Sequence, residues 1–509
     1  MSSWNKIALL TFCVAIFIPG SATAKPGDAN KGKEIYDKRC TWCHGPDGDG
    51  AGAAQDRLNP PPRDFTYGSY KIKTSSFDSM APNDDDVFRM IRDGMPGTAM
   101  PGWGDLLTEQ DMWDLVAYIK FFTGFEPPPI KQIDFGSQIP SSADSIAKGK
   151  RLFEMGDRCV ECHGKTGKGN ASKRLMGDLG ERTWARNLTK PWTFRGGSDP
   201  KDIFVRITTG IAGTVMPSFA NPRSKKSLSV EDRWHVANYV ASLAKTDKIV
   251  NAGNTVVKAD MMEGNLPNTP DDERWEKTAP TTFYLVPQII GEERFFKPSN
   301  DTITVRAMYD DKTVAILLEW DDRTKSIPGD DRAERIADPP LMEDGVAVQL
   351  PVMIPKEMEK PYFGMGDTTH PVNIWHWKSG TKDVTESVNI LNSKGFKEIE
   401  KRNAADIGLQ AKSSYSDGTW KVLMTRSLTT PTPEKDIQFT EGRFIPVAFA
   451  AWDGSNNSEN GSKHTMTTWY WLLLKPATGY KPIITGLMVM GLVAGCLLWW
   501  AHSARKIIS

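Results

Sequence analysis

Two short runs constrain this chain more than any other feature: Cys40-Thr41-Trp42-Cys43-His44 and Cys159-Val160-Glu161-Cys162-His163. In each, two thiols three residues apart are followed directly by an imidazole. That spacing lets both sulfurs reach the two vinyl positions on one porphyrin edge, while the next side chain turns beneath the plane to ligate iron. Zinc would need a second CxxC or a histidine pair close by, which neither run has. Only Cys13 and Cys496 are left over from the six cysteines. The pattern therefore predicts two covalently attached haems c rather than disulfides.

The surroundings of the two runs repeat. The segment from Gly32 parallels that from Gly149, "RDFT" at Arg63 parallels "RNLT" at Arg186, and "GMPGTAMPGW" at Gly94 parallels "GIAGTVMPSF" at Gly210, at separations between 116 and 123 residues. One small domain is thus duplicated in tandem. Each copy reads as a helix bearing the CxxCH, a loop-rich middle, a methionine loop and a closing amphipathic helix. Trp113, Val116, Ile119 and Phe122 recur at helical spacing in the first closing helix, as do Trp234, Ala237 and Val240 in the second, and are expected in the core. His235 is expected at the surface of that second helix. A soft thioether suits a low-spin, electron-transferring haem. Met100 and Met216 stand at matching positions before a proline; Met95 competes, but its counterpart is Ile211, which breaks the repeat. The units resemble small class I cytochromes c. The resemblance implies His44/Met100 and His163/Met216 as axial pairs, with no iron position left for a substrate.

At 509 residues the chain is long enough for several domains. Its 63 Lys plus Arg balance 63 Asp plus Glu, and with no basic stripe nucleic acid is excluded as a partner. An apolar share of 39% excludes a polytopic membrane protein, while 17 tryptophans provide for large cores rather than disorder. Residues 1–24 read as a signal peptide, with Lys6, an apolar stretch from Ile7 to Ile18, and Ala22-Thr23-Ala24 as cleavage site. Residues 483–501 carry no charge and end on Trp499 and Trp500 before Arg505 and Lys506. They are expected to form one transmembrane helix, with 502–509 as a cytoplasmic tail and the rest on the periplasmic side of the cytoplasmic membrane. Between these lie a first c domain (25–126), a Pro-rich linker (127–143), a second c domain (144–246), a linker (247–270) and a β domain (271–476). The expected fold is therefore multidomain: two small all-α cytochrome c domains, an all-β sandwich and a C-terminal transmembrane helix.

In the third domain "TITVRAMYD" and "TVAILLEWD" flank a short turn at Asp310-Asp311-Lys312 and read as a hairpin. "GVAVQL", "VNIWHW", "TWKVLMTRSL", "FIPVAFAAW" and "TMTTWYWLLL" read as further strands. Short strands between turn signals indicate a sandwich or barrel. The segments "DERWEKTAP", "ITVRAMYDDKTVAILLEWDD", "DGVAVQLPV", "GMGDTTHPVNIWHWKSG" and "FAAWDGSNNSENGSKHTMTTWYWLLL" resemble the haem-b-binding γ subunits of molybdenum enzymes. That family includes ethylbenzene and dimethyl sulfide dehydrogenases, chlorate and selenate reductases, and nitrite oxidoreductase. The resemblance implies one non-covalent haem b on a β-sandwich, held by Met365 and Lys463. A lysine amine ligates iron only when neutral, which burial beside the metal favours. His464 is a rival for Lys463, His370 and His376 lie near Met365, and Met466 reads as a core residue.

No catalytic residue and no molybdopterin or iron–sulfur pattern is found, so catalysis is expected in partner chains. The resemblance implies a γ-type electron-transfer subunit, nitrite oxidoreductase- or nitrate reductase-like. It would work with a molybdopterin catalytic subunit, an iron–sulfur subunit, and a soluble cytochrome c or respiratory-chain acceptor. Two other readings stand beside it: a self-sufficient dihaem c-type oxidoreductase, and a cytochrome c fused to a haem-free β-sandwich binding module.

Overall fold

The computed structural model describes residues 27–508 apart from 59, 125–128, 157, 171–172, 178–179, 181, 246–248, 252, 290–293, 296–297, 357–358, 457–460 and 477–480; in the last helix side chains are described from 485 to 500. The expected signal peptide lies outside these residues. The chain forms two compact units, 1–134 and 135–509.

The first unit contains α1 (Ala29–Arg39), α2 (Thr41–His44), α3 (Asp84–Asp93) and α4 (Glu109–Ile119). Thr108 caps α4 by accepting from the Asp111 amide while the Asp111 carboxylate accepts from the Thr108 amide, a capping box. Tyr36, Val87, Ile91, Met112, Leu115, Val116 and Ile119 form the core. Helix α1 crosses α4 at Gly32, where an added Cβ would sit 2.0 Å from the Asp114 carbonyl oxygen. Only glycine admits that approach.

The second unit begins with the duplicate: α5 (Ala143–Glu154), α6 (Val160–His163), the ribbon β1 (Leu175–Met176) and β2 (Arg182–Thr183), α7 (Pro200–Thr209) and α8 (Val230–Ser242). The crossing recurs, with Gly149 against the His235 carbonyl at 2.0 Å. Helix α8 is buried almost all round, because the stretch read as a linker packs on it. Trp234 Nε1 donates to the Phe135 carbonyl (2.8 Å) and Asn238 Nδ2 to that of Ile139 (3.0 Å). His235, expected at the surface, is buried instead, with Nδ1 2.9 Å from Ser145 Oγ.

The β domain follows in the same unit. Its strands are β3 (Val256–Met261), β4 (Thr281–Tyr284), β5 (Val286–Pro287), β6 (Thr302–Tyr309) and β7 (Thr313–Asp321), then helix α9 (Asp331–Ile336). After it come β8 (Gly345–Pro351), β9 (Val372–Lys378), β10 (Ser387–Ser393), β11 (Ile399–Asn403), β12 (Gln410–Ser416), β13 (Thr419–Ser427), β14 (Phe444–Trp452), β15 (His464–Met466) and β16 (Tyr470–Leu474). The hairpin read at Asp310–Lys312 is β6–β7, with Tyr309 opposite Val314. One sheet runs β11-β10-β9-β8-β14-β15-β5 and the other β14-β16-β3-β6-β7-β13-β12. Strand β14 serves both: Phe444–Val447 pair with β16, and Ala448–Trp452 with β8. Alternation sends Val346, Val348, Trp375, Trp377, Phe449, Leu318, Trp320 and Val422 into one core between the sheets. Strand β3, inside the stretch read as the 247–270 linker, lies parallel between β16 and β6.

Charge ties this domain to the second c-type unit. Lys190 Nζ, buried, lies 2.9 Å from Asp321 Oδ2 and also bonds Asp301. Arg182 reaches Asp338 at 2.9 Å.

The membrane anchor expected at 483–501 is corrected. The segment lies in α10 (Lys481–Ile508), but among the described residues no helix is long and apolar enough to cross a membrane. Residues 502–508, expected as a tail, continue the helix. The single-pass placement on the periplasmic face of a membrane falls with the anchor.

The crossings generate a stability prediction. Gly149→Ala forces α5 and α8 apart and should destabilise the second unit by about 1–3 kcal/mol. A lower urea midpoint for the full chain, with Lys150→Ala unchanged, is the expected result.

Candidate haem sites

Each CxxCH forms a single tight turn. The His44 amide donates to the Cys40 carbonyl (2.8 Å) and the His163 amide to that of Cys159 (2.9 Å). No disulfide joins Cys40 to Cys43 or Cys159 to Cys162; all four thiols are free. Behind each histidine the chain loops back by the same bonds: Gly50 N to His44 O and Phe65 N to Gly48 O in one copy, Gly169 N to His163 O and Leu188 N to Gly167 O in the other. These loops deliver a backbone carbonyl to each imidazole. His44 Nδ1 lies 3.1 Å from the Arg63 carbonyl and His163 Nδ1 lies 3.0 Å from that of Arg186. A carbonyl only accepts, so Nδ1 carries the hydrogen and Nε2 keeps its lone pair. Burial lowers both pKa values, against the opposing carbonyl bond, and so favours the neutral imidazole that binds metal.

The methionine loops are superimposable in their bonding. Met95 N donates to Met100 O at 3.1 Å, Thr98 Oγ1 to Met95 O at 2.8 Å, and Thr98 Oγ1 accepts from Met100 N at 3.1 Å. In the second copy Ile211, Thr214 and Met216 make the same three bonds at 3.1, 2.8 and 3.2 Å. Met100 therefore matches Met216, and Met95 matches Ile211. Gly94 and Gly210, both with positive φ, end α3 and α7, where a Cβ would collide with the returning backbone of the loop. Free thiols, a tautomer with Nε2 open and a half-buried thioether together fit a covalently bound haem in each unit.

The β domain presents a different pocket. On the outer side of the first sheet, opposite the sandwich core, Ala347, Ala448 and Ala450 pack with Ile374, Leu391, Trp452, Trp469 and Met365. Three alanines on β8 and β14 thus lie among larger apolar and aromatic residues on that outer face. Met365 has φ 68°, one of two non-glycine residues with positive φ among the described residues. Backbone held in that region costs about 1–3 kcal/mol and gathers at functional sites. The Met365 carbonyl is fixed by the Gly395 amide at 2.9 Å.

The other candidates divide. His464 pairs with Trp452 across β15–β14, so it shares the face of Ala450 and Met466. Its ring lies 5.4 Å from Trp452, its Nδ1 is 2.9 Å from the Gly461 carbonyl, and burial lowers its pKa. Lys463 precedes β15 and its Nζ donates to the Asn456 carbonyl at 3.0 Å. His376 stands on the other side of Trp452 at 4.9 Å, and burial brings its pKa down to about 4. His370 lies 3.3 Å from Asp367 Oδ1, in the turn after Met365. Met466, read as core, is half-buried on the outer face. His376, like His370, is among the candidates the sequence offers near Met365, whereas the strain at Met365 depends on φ and is not legible there.

Known proteins match each part. Family models for ethylbenzene dehydrogenase (residues 272–406 and 389–464), cbb3-type cytochrome c oxidase subunit III (27–119) and cytochrome c (146–244) match the chain. It is similar to the chlorate reductase γ subunit of Ideonella dechloratans, 26% identical over 43% of this chain and 84% of that one. The dimethylsulfide dehydrogenase γ subunit of Rhodovulum sulfidophilum is 24% identical over 46% and 87%. Cytochrome c55X of Paracoccus denitrificans is 32% identical over 22% and 92%. The chain is thus a multihaem electron-transfer subunit in which cytochrome c domains are joined to a domain of the ethylbenzene dehydrogenase family, related to the γ subunits of molybdenum oxidoreductases.

Proposed function

We propose that this chain carries three haems and relays electrons for a molybdenum oxidoreductase of the nitrite oxidoreductase or nitrate reductase kind. Its partners would be a molybdopterin catalytic subunit, an iron–sulfur subunit and a cytochrome c or respiratory-chain acceptor. Bound haem iron supplies one-electron exchange. His44 with Met100 and His163 with Met216 would hold the two c haems, and Met365 with Lys463 the b haem. The observation that carries the reading is the twin arrangement of a carbonyl-fixed histidine and a threonine-tied methionine loop, whose imidazole and thioether would hold a haem in each unit. Such centres exchange electrons and leave no position for a reactant.

One observation favours a different pair of residues that would hold the b haem. Strand register puts His464, not Lys463, on the face that carries Met365, and Lys463 would have to leave the Asn456 carbonyl to reach iron. Met365/His464 is that alternative.

Three measurements follow. Extraction of the purified full chain should give two covalent haems and one acid-extractable haem, with no carbon monoxide adduct after reduction; a readily formed adduct in the native protein, or no extractable haem, would sink the proposal. Met216→Ala should open one c centre to carbon monoxide, whereas Met95→Ala should not. Lys463→Ala and His464→Ala should differ in the low-spin b-type signal by near-infrared magnetic circular dichroism: whichever abolishes it names the ligand. A further test concerns the loops. Thr214→Val removes two hydrogen bonds, each about 0.5–1.5 kcal/mol, so amide exchange at Ile211 and Met216 should accelerate about tenfold or more.

A further inference from the structure

Three buried carboxylates converge at one end of the sandwich. Asp322 follows β7, Asp344 precedes β8 and Asp453 follows β14; all three are buried, and one oxygen from each lies within 4.8 Å of the others. Their donors are neutral. Asp344 accepts from the Ser326 amide (2.7 Å), Trp420 Nε1 (2.9 Å) and the Gly454 amide (2.8 Å). Asp453 accepts from Ser299 Oγ (2.6 Å) and the Ser455 amide (2.9 Å). Asp322 Oδ1 accepts from the Thr324 amide at 3.2 Å, while its Oδ2, in a fully buried residue, has no partner among the described residues. Beside Ser299, Asn300 is fully buried with neither amide atom hydrogen-bonded among the described residues.

Such a set is incomplete as it stands. Three acids in a dry pocket repel one another, and burial with that repulsion pushes Asp344 up to about 8 and Asp322 well above its ordinary value. Neutral N–H donors cannot cancel the charge. The half-buried guanidinium of Arg323 lies over the Trp184 ring, 5.2 Å from its centroid, and its single charge acts on Asp453, Asp301 and Asp322 together, too little to balance three carboxylates.

We propose that Asp322, Asp344 and Asp453 bind one calcium ion. Oxygens about 2.4 Å from a shared ion lie at most about 4.8 Å apart, which suits calcium; magnesium at about 2.05 Å draws its ligands closer and keeps its waters. The unpartnered Asp322 Oδ2 becomes a ligand. The ion fastens the loop Asp453–Asn456, which touches two further parts of the unit: Arg182 of the second c domain donates to the Ser455 carbonyl at 2.6 Å, and Lys463 to the Asn456 carbonyl. Calcium would therefore set the junction between the second c domain and the b-haem pocket. The inference stands whether or not the axial assignments do.

The test is elemental analysis of the full haem-loaded chain, purified without chelator, with iron as the internal standard. About one calcium per chain is expected. EGTA should lower the thermal midpoint and added calcium, not magnesium, should restore it by mass action. Asp322→Asn should lose the metal; if that variant fails to fold, chelation and restoration of the wild type decide. Absence of calcium together with no midpoint shift on adding it would overturn the proposal and leave the carboxyls neutralised by protons.

Discussion

The bond from His44 and His163 to a backbone carbonyl is the contact around which both small units are built. A carbonyl fixes which nitrogen holds the hydrogen, and so which one is left to bind metal. The rest of each unit serves that bond. The loops closed by Phe65 and Leu188 on Gly48 and Gly167 bring the carbonyls of Arg63 and Arg186 into place. The glycine crossings at Gly32 and Gly149 seat the first helix close enough to the last for a compact core to form beside the ring. Burial then keeps each imidazole neutral.

The β domain solves the same problem by alternation. Along β8 and β14 large residues such as Val346, Val348 and Phe449 face the sandwich core, while Ala347, Ala448 and Ala450 face outward. A single sheet thus packs large side chains into the sandwich on one face and a second, alanine-centred cluster on the other. The outer face is closed by Trp452 and Trp469, and by Met365, whose left-handed backbone is held by glycine neighbours. Strain at one residue is tolerable because the surrounding strands fix both flanks.

What was legible beforehand was what is local. The CxxCH turns, the paired methionine loops, the closing helices and the β6–β7 hairpin each lie within about twenty residues, and spacing alone exposes them. Strand β3 was hidden because its parallel partners β16 and β6 are far away in sequence or follow after a long excursion, and a lone "VVKADM" carries little alternation. Strands β10, β11 and β12 are polar at the sheet margins, where there is little apolar signal to read. His235 was misplaced because its cover comes from Ser145 and Gly149 on α5, some ninety residues away in sequence. The terminal helix was read from hydropathy, whereas spanning is a question of length and apolar continuity together. At the candidate sites the CxxCH turns and the paired methionine loops were readable as motifs, but the placement of Lys463 and His464 turns on strand register, which no motif states.

The contact between the second c domain and the sandwich follows a different logic from either core. It is drawn mainly by charge: Lys190 between Asp301 and Asp321, and Arg182 and Arg174 on Asp338. Burying Lys190 would be strongly unfavourable alone, yet its two carboxylates outweigh desolvation and raise its pKa. Replacing such a set by apolar residues is often neutral for stability, but removing one member leaves a buried charge unmatched, at about 3–5 kcal/mol. An apolar contact would tolerate sliding by a residue or more, whereas these pairs match in one register only. For a chain that moves electrons between centres, a junction that resists sliding matters more than one that is merely tight, because it keeps the separation between neighbouring centres constant.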